Sequence, residues 1–293
     1  MQKNYLLLIS SEKFINKVDY YIIIMGYKYK EKLESLVNAL FKVNDYLEKE
    51  NPDLIIAPLR GAVPFIDILN IINEDFPNEK VEYVIASSCV DDLRTSLRKS
   101  LFTLIAEKIP EGGTAVFIDE VVSGNSLVRL YKQFNAALNE YVERRIVSLY
   151  GKEIDMTRRE IKNYKQEFLQ QFKVRHIGLV EEKPKKKNKE YQKLLEEEII
   201  IPFEVIHIPT RDRPKYCIIQ YEENQLKNDR VAYLPRIKEV KVSQDYLGLL
   251  EDVARIIGKD PESVEIHNIG KILRANKLPQ LYDELYDEIR RNL

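Results

Sequence analysis

The chain of 293 residues is 44% hydrophobic and 10% aromatic, with 18 Tyr, 10 Phe and no Trp, which excludes disorder of the whole chain and leaves ample length for a buried core. Lys+Arg (46) and Asp+Glu (47) nearly cancel to a net charge of -1, so no global field draws the protein onto nucleic acid or an anionic membrane. Cys89 and Cys217 form neither a C-x-x-C pair nor a disulfide framework, and no apolar run approaches the length of a membrane span, so a cytoplasmic protein without membrane or nucleic-acid partners is expected.

Residues 18–25 are β-like. Leu33, Leu36, Val37, Leu40, Phe41 and Leu47 recur at helical spacing and predict a helix leading into a strand at residues 54–57. That strand is apolar throughout between Pro52 and Pro58, as in a strand buried on both faces. Pro64 suits the first turn of a helix carrying Phe65, Ile68, Leu69 and Ile72. A second strand follows at residues 81–86, then an amphipathic helix on Leu93, Leu97, Leu101, Leu104 and Ile105 that leaves Arg94, Arg98 and Lys99 off its apolar stripe. After a Pro-Glu-Gly-Gly turn at residues 110–113, a third strand is predicted at 114–119, a helix on Leu127, Leu130, Tyr131, Phe134 and Leu138, and a fourth strand at 145–150.

Ile161, Tyr164, Phe168, Leu169 and Phe172 mark a helical insertion, and β-like runs at residues 177–180 and 198–208 can add strands. The basic run at residues 183–189, followed by Glu196, Glu197 and Glu198, reads as a solvated loop and helix face. Beyond Arg236, helix formers with Leu247, Leu250, Val253, Ile256 and Ile257 predict a small helical unit with a packing or oligomerisation role, a homodimer being its candidate form. The alternation of strands and helices over residues 51–150 defines an α/β protein: a central, mostly parallel sheet flanked by helices, with helical insertions and a C-terminal helical extension. The expected organisation is an α/β domain over residues 1–239, with its core at about 33–150, and a helical unit over residues 240–293.

Several chemistries find no support. There is no G-x-G fingerprint and no P-loop, and His176, His207 and His267 do not stand at metal-ligand spacing. Gly124-Asn125-Ser126-Leu127-Val128 lacks the closing Gly of a nucleophile elbow. What remains is the segment Val116-Phe117-Ile118-Asp119-Glu120-Val121-Val122-Ser123-Gly124-Asn125-Ser126-Leu127, an apolar strand ending in two carboxylates, then a turn rich in hydroxyls and Gly that opens a helix. Backbone N–H groups at a helix N-terminus, with the hydroxyls of Ser123 and Ser126, make an anion site for a phosphate monoester. Asp119 and Glu120 can accept hydrogen bonds from vicinal hydroxyls and attract Mg²⁺, which prefers oxygen ligands. Together they describe a cradle for ribose 5-phosphate. The plain alternative is a helix cap beside two solvated carboxylates.

This segment resembles the signature of the type I phosphoribosyltransferases: an apolar strand, two acids, two apolar residues and a Thr/Ser-Gly-x-Thr/Ser loop. Pro58-Leu59-Arg60-Gly61-Ala62-Val63-Pro64-Phe65 makes a second match, directly after the first strand, where that family has an Arg/Lys-Gly loop for pyrophosphate. The resemblance covers about residues 33–150 and departs from the family in a shorter loop before Gly124 and in Ala62, where a second Gly is frequent. It implies binding of phosphoribosyl pyrophosphate with Mg²⁺ and transfer of the phosphoribosyl group to a nitrogenous, nucleobase-like acceptor. By that resemblance Asp119 and Glu120 would hold the ribose hydroxyls and Mg²⁺, directly or through water. Ser123, Gly124, Asn125, Ser126 and Leu127, with Val122 beside them, would hold the 5-phosphate. Arg60 would contact the pyrophosphate, approached by the backbone of Gly61 and Ala62, with Arg94 and Arg98 coming in from the loop after the second strand. A base could stack on Tyr216, Tyr221 or Tyr233, or under residues 18–25. The other expectation is a non-catalytic protein of this fold: a nucleotide-binding or phosphoribosyl-pyrophosphate-binding sensor, regulator or stress/defence-system component.

Overall fold

The computed structural model describes residues 29–59, 61–86, 93–150, 157–181, 189–206, 208, 217–225, 231–266 and 268–291. Residues 18–25, Arg60, residues 87–92, residues 182–188, His207, Tyr216 and His267 lie outside them. A first helix, α1, spans residues 29–50 and buries Leu33, Leu36, Val37, Leu40 and Leu47, while Phe41 of the same sequence pattern faces outward. It leads into β1 (Leu54–Leu59), every residue of which is buried, as its unbroken apolar run requires. Then come α2 (Val63–Ile72), β2 (Val81–Ile85), α3 (Leu93–Lys108) and β3 (Gly113–Val121).

The sequence expectation of a strand at residues 145–150 is corrected: α4 runs unbroken through Asn125–Tyr150. Ile146 falls on the buried stripe of that helix one turn beyond Val142, whereas Val147 is 53% exposed, which a strand buried on both faces would not permit. Arg145 fixes the helix end by donating to the Pro110 carbonyl at 2.7 Å and pairing with Glu111 at 2.5 Å. The fourth strand lies further on. α5 (Arg158–Leu169) starts on a capping box, in which the Thr157 hydroxyl accepts from the Glu160 N–H and the Glu160 carboxylate accepts from the Thr157 N–H. Next are β4 (Phe172–Glu181), α6 (Lys189–Glu196) and β5 (Ile200–Val205).

The five strands form one sheet in the order β2-β1-β3-β4-β5, every neighbouring pair parallel. The chain therefore steps from β1 outward to β2, then crosses back so that β3 pairs with the opposite side of β1. The crevice beyond the C-terminal ends of β1 and β3 is the topological switch point, the position where open α/β sheets bind ligands. A separate antiparallel ribbon follows, β6 (Cys217–Gln225) with β7 (Val231–Val242), so strand structure continues past Arg236 before the helices begin.

The last helices, α7 (Gln244–Ile256), α8 (Ile269–Arg274) and α9 (Leu278–Arg291), contribute to the same apolar core as the sheet. α7 packs on α2, α8 on β2, and α9 on α3 and α4. Polar anchors hold them. The buried Asp67 carboxylate accepts from the Tyr246 hydroxyl and from Asn268 Nδ2 (3.2 Å), and Thr103 donates to the Leu278 carbonyl at 2.9 Å. Glu82, buried in β2, meets Arg274 of α8 and Lys108 at 2.8 Å. Among the described residues no helix is long and apolar enough to cross a membrane.

Candidate functional site

β3 carries its apolar residues through Ile118 and then Asp119, Glu120 and Val121 while still paired with β4, Asp119 opposite Gly178 and Glu120 opposite Leu179. Asp119 is only 6% exposed, and its Oδ1 accepts the Glu120 N–H at 2.9 Å, which orients the carboxyl group at the strand end. The loop after β1 comes to the same place. A Cβ on Gly61 would stand 3.0 Å from Asp119 Oδ1 and 3.3 Å from Glu120 Cγ, so glycine lets this loop close against both carboxylates. Ala62 is buried at the start of α2, with its N–H on the Pro58 carbonyl at 3.1 Å, and Pro64 occupies the first helical turn as its sequence position predicts.

Beyond β3 the turn passes through Gly124, whose φ of +79° is the left-handed conformation that favours glycine. Here the chain enters α4. The Val128 N–H bonds the Gly124 carbonyl at 3.1 Å, and the Ser123 hydroxyl accepts the Asn125 N–H at 3.4 Å. Amides of this first turn have no acceptor within the helix and point out of its positive end.

A cavity of about 200 Å³ opens at this edge of the sheet. Its walls are Pro58, Leu59 and Gly61 after β1, Ala86 after β2, and Asp119 and Glu120 of β3. Val122, Ser123, Gly124, Ser126 and Leu127 complete it. Thus most residues of the two sequence motifs meet in one place, although Ala62 and Asn125 stand beside the cavity rather than on its wall. Arg60 lies outside the described residues. Arg94, exposed in the first turn of α3, is off the wall, and Arg98, one turn further from the sheet edge, brings its Nε to within 3.5 Å of Glu140. Tyr221 is buried in β6 and Tyr233 half-buried in β7, and neither lines the cavity.

Two residues that the sequence did not single out belong to this neighbourhood. Arg129, in the second turn of α4, donates to the Ala86 carbonyl at 2.8 Å. Burial pulls its guanidinium below the ordinary value, the Asp119 charge opposes that shift, and the Arg94 charge adds to it, so a cation stands behind the carboxylate. Its only sequence signal is a place off the apolar stripe of α4, which any solvated residue shares. Tyr191 of α6 is fully buried, and its ring lies against Gly124. Burial pushes its phenol up to about 12, so the side chain stays neutral. One tyrosine among 18 gives no sequence signal of this contact.

Among the described residues no three His, Cys, Asp or Glu side chains stand together as a metal cage. Asp119 and Glu120 offer two hard oxygen donors at the cavity wall, a set suited to Mg²⁺ that fills its shell with water and substrate oxygens. No protein-family model matches the chain, and neither does any curated protein or solved structure.

Proposed function

We propose that this protein binds phosphoribosyl pyrophosphate together with Mg²⁺ at the ends of β1 and β3, and transfers the phosphoribosyl group to a nitrogenous, nucleobase-like acceptor. The close approach of Gly61 to Asp119 and Glu120 carries this reading, because it brings two motifs distant in sequence to one cavity at the switch point of a parallel sheet.

In this mechanism the first-turn amides of α4 and the hydroxyls of Ser123 and Ser126 receive the 5-phosphate. The ribose hydroxyls donate to Asp119 and Glu120. With the sugar so held, the acceptor nitrogen forms its bond to the anomeric carbon as the bond to the pyrophosphate oxygen breaks, and the ring carries oxocarbenium character in between. Carboxylates near the sugar favour that positive charge, and Arg60, which directly follows β1 in the sequence, would meet the charge growing on the leaving group. Asp119 and Glu120 would hold Mg²⁺, which when bound would supply further neutralisation of the pyrophosphate. Asp119 is already oriented by the Glu120 N–H before any ligand arrives, so little reorganisation remains.

Incubation with phosphoribosyl pyrophosphate, Mg²⁺ and a pool of purines and pyrimidines should release pyrophosphate and form a nucleotide. Tight binding without release would assign a sensor or regulator instead, and absence of binding would refute the site.

A further inference from the structure

We infer that Tyr191 is a positioning residue for the loop at residues 123–127, holding its amides in the arrangement that a phosphate requires. The inference rests on the reading of that loop as the 5-phosphate cradle.

Within the loop the Asn125 N–H bonds the Ser123 hydroxyl at a long 3.4 Å, and the Val128 to Gly124 bond belongs to the helix that follows. A loop of this kind takes its geometry from what packs against it. Here the surface beneath is the Tyr191 ring: a Cβ on residue 124 would overlap that ring and stand 2.9 Å from the Tyr191 Cβ. Gly124 is therefore required twice, once by its φ of +79° and once by the ring. The support is itself anchored. Tyr191 and Leu194 are the buried residues of α6, the preceding Glu190 pairs with Lys132 of α4 at 2.6 Å, and α6 packs on α4 and β5. An element outside the two motifs thus backs the loop at Gly124, and a flat ring, having few rotatable bonds, makes a stiff support.

The test is calorimetry on the full chain with two separate ligands, ribose 5-phosphate and Mg²⁺-pyrophosphate, for the wild type, Tyr191→Phe, Tyr191→Leu and Tyr191→Ala, with a thermal melt of each. Mispositioning one donor to a charged group costs about tenfold in affinity, so Tyr191→Ala and Tyr191→Leu should weaken ribose 5-phosphate by about that factor. Pyrophosphate affinity should stay at the wild-type value, and Tyr191→Phe should restore ribose 5-phosphate binding. Should Tyr191→Ala not fold, Tyr191→Leu carries the test, since it keeps an apolar anchor without the flat ring. Wild-type affinity for ribose 5-phosphate in a folded Leu or Ala variant would overturn the inference, as would equal losses for both ligands, which denote a structural role. A wild-type protein that does not bind ribose 5-phosphate would remove the cradle itself, a result distinct from variants that bind like the wild type.

Discussion

Gly61 and Asp119 stand so close that a Cβ on residue 61 would lie 3.0 Å from the Asp119 Oδ1. The contact is tight without being impossible, so Gly61→Ala must shift a carboxylate by a few tenths of an ångström. The expected result is a protein whose stability changes by about 1 kcal/mol or less. Its affinity for Mg²⁺ with phosphoribosyl pyrophosphate should fall by roughly tenfold, and Gly61→Val should lose more. Calorimetry beside urea denaturation checks both halves; an unaffected Gly61→Val variant would detach this loop from the ligand.

Asp119 and Glu120 are the only acids on the cavity wall among the described residues. Asp119→Asn combined with Glu120→Gln keeps their volume and removes their charge, so Mg²⁺-dependent binding of phosphoribosyl pyrophosphate should disappear while the melting temperature changes little. Retained affinity in that double variant would sink the site assignment.

His176 presents a case of pH-dependent stability. It is fully buried in β4, stacked on Phe117 with ring centroids 4.4 Å apart, and neither ring nitrogen has a hydrogen-bond partner among the described residues. Burial lowers its pKa from 6.5 to about 3, so the folded protein holds it neutral. Above pH 6.5 neither state is protonated and nothing is lost. As pH falls below that value the unfolded chain takes up a proton that the folded chain refuses until about pH 3. Stability then drops by about 1.4 kcal/mol per pH unit, or roughly 2 kcal/mol by pH 5. His176→Phe should flatten that part of the profile, measured by urea denaturation at pH 7 and pH 5. An identical pH slope in the variant would contradict the buried neutral state.

Asp67 ties α2, which begins directly behind Gly61 and Ala62, to the C-terminal helices through Tyr246 and Asn268. Asp67→Ala leaves both donors buried and should cost about 2–4 kcal/mol. Tyr246→Phe, which removes one donor and keeps the ring, should cost less. Hydrogen exchange of the α7 amides should rise in Asp67→Ala, and protection equal to wild type would show that packing alone seats that helix.

The strand-turn-helix around Asp119 is contiguous, and so its residues could be read in order: an apolar run, paired acids, a glycine in a tight turn and a helix start. β1 was equally legible, because an unbroken Leu-Ile-Ile-Ala run between prolines has few other uses. Residues 145–150 misled, since a short β-branched run suits a strand or the end of a buried helix, and only the docking of Ile146 and Arg145 separates the two. Arg129 and Tyr191 gave no warning for a different reason: what makes each matter is a neighbour far away in the chain.

Periodicity and turn chemistry act over a few residues, so the sequence by itself determined the α/β class, the first three buried strands and the two motifs at strand ends. Strand order is set by which faces can be buried together, a property of the whole chain. That tertiary choice seats β3 beside β1, brings Gly61 to Asp119, lays Tyr191 under Gly124 and closes His176 into the core.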